Sequence, residues 1–196
     1  MSIDDVRDAL ADDSARNKWI GVWIGILAVL LAICGVGGGN AAKDANRANI
    51  DASNKWAFFQ AKNIRRTSYI LAADELELTL LAQPNLSPEA ATAIKAKIGA
   101  WRATADRYRT EPDTGEGLAE LSAGAKALER ERDQALRKDP YFDLAEALIQ
   151  IGIVLASVAI IAGTSALLFA SFGVGALGTL MMLNGFWLVM AVPGLG

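Results

Sequence analysis

The alternation of apolar and polar positions divides the chain before any residue chemistry is considered. Residues 147–196 hold no Asp, Glu, Lys or Arg, and residues 19–36 form a second uncharged run. A helix crosses a bilayer with about 20 predominantly apolar residues. The first run therefore predicts one transmembrane helix over 19–37, and the last predicts two, over 143–163 and 172–193, turned back on each other. Gly163, Thr164 and Ser165 mark the break, and the stretch to residue 171 reads as the turn. An acidic piece, 1–18, precedes the first span, with Ile3, Val6 and Leu10 on one side among five Asp residues. Trp19 and Trp23 fall where an interfacial aromatic belt is expected, as do Tyr141 and Phe142. Gly35, Gly37, Gly38 and Gly39 predict an end or a kink where the first helix leaves the membrane.

Residues 40–140 read instead as a solvated helical stalk. Ile50, Ala57, Ala61, Ile64, Ser68, Leu71 and Leu78 recur at helical spacing, so one face of the outgoing helix can pack. Turn chemistry interrupts it at 83–88, where Ser87 suits an N-cap and Pro88 the first helical position. Two stripes at alternating steps of three and four follow. Ala91, Ile94, Ile98, Trp101, Ala105 and Tyr108 make the first; Leu118, Leu121, Ala125, Leu128, Arg132 and Ala135 make the second, with a break at 111–117 between them. The fold class expected is all-α: an integral membrane protein with three transmembrane helices and an antiparallel, coiled-coil-like helical hairpin as stalk.

Composition narrows the chemistry. The chain has 196 residues and no His, which removes the usual general base and the commonest metal ligand. Its single cysteine, Cys34, excludes an intramolecular disulfide and a Cys/His metal cluster. The net charge of -3 conceals near balance in the middle of the chain, where residues 43–146 carry sixteen basic and seventeen acidic side chains. Mixed charge of that kind is a solvated face and not a nucleic-acid footprint. No nucleotide loop or nucleophile motif is present, so no enzyme, cofactor or metal site is expected.

The most distinctive string is Asp51-x-x-Asn54-Lys55-Trp56-Ala57-Phe58-Phe59-Gln60-Ala61-Lys62-Asn63-Ile64-Arg65. It resembles the Asn/Asp-Lys-Trp-Ala-aromatic-aromatic-Gln-Ala-Lys-x-Ile string of the bacterial membrane proteins grouped as domain of unknown function 4337. The layout is similar too: an N-terminal span, a charged helical middle and a two-span C-terminus. That resemblance implies a location in the bacterial inner membrane and brings no activity. Charge flanking the spans is close to a draw, with Arg16 and Lys18 on one side and Lys43, Arg47, Arg137 and Lys138 on the other. The family's basic hairpin loop tips the orientation to a cytoplasmic N-terminus and a periplasmic stalk, although residues 163–175 here carry no basic residue.

Two groups of residues are candidate sites. Trp56, Phe59 and Gln60, with Trp101 on the returning helix, read as a packing and partner surface, and Gly21 and Gly25 form a G-x-x-x-G that admits a second helix. Asp143, Glu146 and Gln150 share one face of the second span, which is costly in lipid unless paired, hydrated or turned inward. Lys43 and Arg47 are the cations nearest in sequence pattern to serve them. The functional expectation is a non-catalytic membrane assembly or scaffold protein, homo-oligomeric or an accessory subunit of a larger membrane complex. The alternative is an oligomeric ion channel or transporter component that uses the acidic face. The expected partners are copies of itself, other membrane proteins and the lipid bilayer.

Overall fold

The computed structural model describes residues 3–194, with side chains at residue 14 and from residue 16 onward. Those residues form five helices and no strand: α1 (Ile3–Ala82), α2 (Pro88–Arg107), α3 (Leu118–Leu136), α4 (Asp139–Ala162) and α5 (Ser165–Trp187). Side chains of Ile3, Val6 and Leu10 lie outside the described set. The chain divides into two compact units, Met1–Ala45 with Asp133–Gly196, and Asn46–Arg132.

In the first unit the upper part of α1 packs with α4 and α5. Gly163 closes α4 with φ 65°, a left-handed conformation that glycine adopts without a Cβ penalty. The chain then starts α5 two residues later, at Ser165, so residues 165–171 are helix and not turn. At its far end α5 stops at Trp187, and Leu188 takes the left-handed C-cap position at φ 50°. Small residues set how closely these helices approach. A Cβ on Gly175 would lie 2.9 Å from a Leu27 methyl, and one on Gly178 would lie 2.9 Å from Ile149. Leu27, Cys34, Phe142, Ala145 and Ile149 are all buried here.

The glycine run at 35–39 does not end the helix. Phe142, also buried, explains why: a Cβ on Gly37 would stand 2.5 Å from its Cε1, and one on Gly185 3.1 Å from the same ring. Gly37 and Gly38 are a slot for the Phe142 side chain, and the packing outweighs a helix-propensity penalty of roughly 1 kcal/mol per glycine. Tyr141 is likewise buried and not part of an outward collar; its hydroxyl accepts from the Val192 amide at 3.0 Å and donates to the Met190 carbonyl at 3.2 Å.

In the second unit the turn chemistry works as its residues dictate. Ser87 Oγ accepts from the Ala90 amide at 3.2 Å, with Pro88 opening α2. The α2 and α3 stripes face inward: Ile98, Ala105, Leu121 and Ala125 are buried, and Ile94, Trp101, Tyr108, Leu118 and Leu128 half-buried. Their partners on α1 are not the expected ones. Ile50, Ile64, Leu71 and Leu78 are exposed, while Ala48, Ala52, Lys62 and Ala73 are buried and Trp56, Phe59 and Tyr69 half-buried. The inward face of α1 is the one with small and amphipathic residues, because an alanine seam lets helices approach closely and the long side chains fill the remainder.

Candidate functional site

Ala52, Trp56, Phe59 and Lys62 of the family-like string lie on that inward face, and their polar atoms explain the composition there. Trp56 Nε1 donates to Glu129 Oε1 on α3 at 2.8 Å, and the Trp56 and Phe59 rings meet edge to face at 5.4 Å. Lys62 is 7% exposed. Its ammonium donates to Glu111 Oε2 at 2.5 Å and to the Glu116 carbonyl at 2.6 Å, and lies 5.2 Å from the centre of the Tyr108 ring. A buried ammonium must be paired and hydrogen-bonded, and here one lysine on α1 holds the connection between α2 and α3.

That connection is itself ordered. Glu120 accepts from Thr110 Oγ1 at 2.6 Å and from the Glu111 amide at 3.2 Å. The Thr110 hydroxyl, then backbone donors, then the charge of Lys62 hold its carboxyl below the ordinary value. Gly115 turns with φ 68°, and a Cβ on Gly117 would collide with the Glu111 amide and Thr110 Cα. Further along, Arg102 bridges Asp74 at 3.2 Å and Glu77 at 2.5 Å, and the hydrogen bonds it donates to both carboxylates raise its pKa.

Trp56 and Phe59, expected at a packing and partner surface, are therefore bound within the chain. Lys62 belongs to this inward face. Gln60 is exposed, and Trp101 is half-buried with the Lys97 ammonium 5.0 Å from its ring centre. Gly21 and Gly25 are exposed, with no atom within 4 Å of a Cβ placed on either.

On α4, Asp143 and Gln150 are exposed and Glu146 half-buried; Glu146 Oε1 lies 3.2 Å from a Cβ built on Gly35. Among the described residues, no ion pair joins Lys43 to Asp143 or Glu146. The sequence reading missed a polar connection deeper in this unit. Trp23 Nε1 donates to Ser171 Oγ at 2.9 Å, and the buried Ser171 hydroxyl donates to the Gly152 carbonyl at 2.7 Å. A serine alone in an apolar run was the available signal. One bond ties α1 to α5 and the next ties α5 to α4.

Among the described residues, three helical stretches are long and apolar enough to cross a membrane: Arg16–Ala82, Leu118–Ala162 and Ser165–Trp187, with mean hydropathy of 2.5, 2.3 and 2.0 in their most apolar windows. No curated protein and no solved structure matches the chain. A family model described as Domain of unknown function (DUF4337) matches residues 16–188, which takes in the Trp56–Lys62 string, the Ser171 connection and all three apolar stretches. The chain belongs to the DUF4337 family.

Proposed function

We propose that this protein is a non-catalytic membrane assembly or scaffold protein of the bacterial inner membrane, forming homo-oligomers or accompanying a larger membrane complex. Its three apolar stretches are the spans, and 40–140 is a helical hairpin stalk on the periplasmic side. The observation that carries the reading is the contrast between three stretches apolar enough to cross a bilayer and a separate unit in which α1 bonds to α2 through Arg102, to the 108–117 connection through Lys62 and to α3 through Trp56. Partners along α1 descend as those in the return ascend. Tyr69 meets Tyr108, Lys62 meets Glu111 and Trp56 meets Glu129, as an antiparallel pairing requires.

Purification in mild detergent and in nanodiscs, with native mass measurement and identification of co-purifying proteins, tests this. A multiple of the chain mass, or a stoichiometric membrane partner, is expected; a lone monomer in every medium overturns the reading. A channel role is the second reading, favoured by Glu146, a half-buried carboxylate with no ion pair to Lys43 among the described residues. Conductance in planar bilayers that is lost in Glu146→Gln would replace the first reading with this one.

A further inference from the structure

In the first unit, α1 and α5 leave a groove of about 270 Å³ between Trp19, Trp23 and Ile26 on one side and Leu168 and Phe172 on the other, with Arg16 also lining it. The two helices run in the same direction here, since Trp23 meets Ser171 and Phe172 while Leu27, one turn on, meets Gly175. The α1 residues that line the groove run from 16 to 26, roughly 15 Å of helix. Arg16 is the first of them, so a cation stands at one end of an otherwise apolar slot. The walls are fixed by the chain itself: Trp23 Nε1 is held on Ser171 Oγ, and its ring lies 4.6 Å from that of Phe172. Trp19, at 74% exposure, and Phe172, at 41%, leave the slot open to its surroundings. A second groove of about 420 Å³, among residues 180–192, has no such end. The residues lining it carry no charge, and the Asn184 amide is engaged by the Met190 backbone as both donor and acceptor.

We propose that the groove at Arg16 holds one acyl chain of a phospholipid, with the lipid's phosphate on the Arg16 guanidinium. The proposal rests on the spans of the reading above and is independent of the oligomer. An amphiphile with an anionic head matches this slot along its whole length. A wholly polar solute finds no partner beyond Arg16, and a wholly apolar one leaves the cation unused. In a bilayer, Trp19 and Trp23 at the start of an apolar stretch mark the headgroup boundary, which is the depth of a lipid phosphate. Arginine offers phosphate a planar fork of donors. Arg16 has a further contact within the chain, and its five N–H donors serve more than one acceptor. Walls already held in place spare the ligand the ordering cost that a mobile surface carries.

Full-length protein in nanodiscs containing a phospholipid with a photoactivatable acyl chain tests this, the labelled peptides being mapped by mass spectrometry. Labels should fall on residues 19–26 and 168–172 several-fold more often than on 180–192. A diacylglycerol with the same chain and no phosphate should lose that preference. Arg16→Gln should lower labelling of the groove about tenfold, the worth of one charge-assisted hydrogen bond. Lys43→Gln, an exposed cation at the other end of the first apolar stretch, should leave it unchanged. Equal labelling of both grooves, equal labelling by the diacylglycerol, or undiminished labelling of Arg16→Gln overturns the proposal in favour of ordinary lipid contact. Dimer cross-linking through Trp19→Cys in place of groove labelling gives the slot to a second copy and also overturns it. Should Arg16→Gln fail to insert, the two lipids compared on the unmodified protein still decide. A chain that never enters the nanodisc overturns the spans as well. A monomer labelled in the groove supports this proposal and removes only the assembly reading.

Discussion

Lys62 shows how far one residue's role departs from its type. Lysine on a helix among charges is ordinarily solvated, yet this one is buried against Glu111, the Glu116 carbonyl and the Tyr108 ring. Removing one member of such a pair leaves the other desolvated. Since the Glu111 side chain keeps 20% exposure and a second cation in Arg107, the cost is reduced. Lys62→Met should lower unfolding stability by about 2 kcal/mol, seen as a shifted denaturation midpoint of the full chain; an unchanged midpoint would show the pair to be incidental. Glu120 supplies a pH dependence. Its carboxyl is held below the ordinary 4.5, so its stabilisation of the 110–117 connection is complete above that value. It is lost as pH falls through the lower folded value. Amide-exchange protection at Glu111 should weaken on acidification in that window, and Glu120→Gln should remove this dependence.

At the scale of the element, glycine's meaning depends on what lies opposite. Gly37 sits inside α1, where the Phe142 ring leaves no space for a Cβ; Gly99 sits inside α2, with nothing within 4 Å. The same substitution should act with opposite sign at the two sites. Gly37→Ala should destabilise by about 1–3 kcal/mol through overpacking, and Gly99→Ala should stabilise by up to about 1 kcal/mol through helix propensity. Thermal unfolding in one detergent compares them directly. If Gly37→Ala is as benign as Gly99→Ala, the Phe142 slot is not what holds the helices at their spacing. The bonds from Trp23 through Ser171 to Gly152 act at this scale as well, since one hydroxyl joins three helices in an apolar setting.

For the whole molecule, the test is sidedness. In the proposed topology, three crossings place the N-terminus and the Gly163–Thr164 turn on one face of the membrane, and the middle of the chain on the other. Cysteine introduced at Ser14 or Thr164 should be shielded from an impermeant reagent in intact spheroplasts, while cysteine at Asp113 should label. Labelling of Ser14→Cys and Asp113→Cys from the same side would remove the three-span topology. Labelling with the opposite polarity would keep the spans and place the stalk in the cytoplasm.

Much of this protein is legible in one dimension because its strongest signals are local. Uncharged runs announce helices apolar enough to cross a bilayer, Ser87-Pro88 announces a helix start, and steps of three and four announce the inward faces of α2 and α3. Those elements came out on the expected faces since each has one apolar side to bury. α1 has two such sides, and periodicity alone does not rank them. Tertiary packing chose the side with Ala48, Ala52, Trp56 and Ala73, because small residues allow close approach and Trp56 and Lys62 find acceptors there at Glu129 and Glu111. It also decided that the helix continues through residues 35–39, since the side chain that fits against Gly37 and Gly38, Phe142, lies more than a hundred residues away in sequence. Spacing reports which residues share a face; only the partner across the gap decides which face is buried.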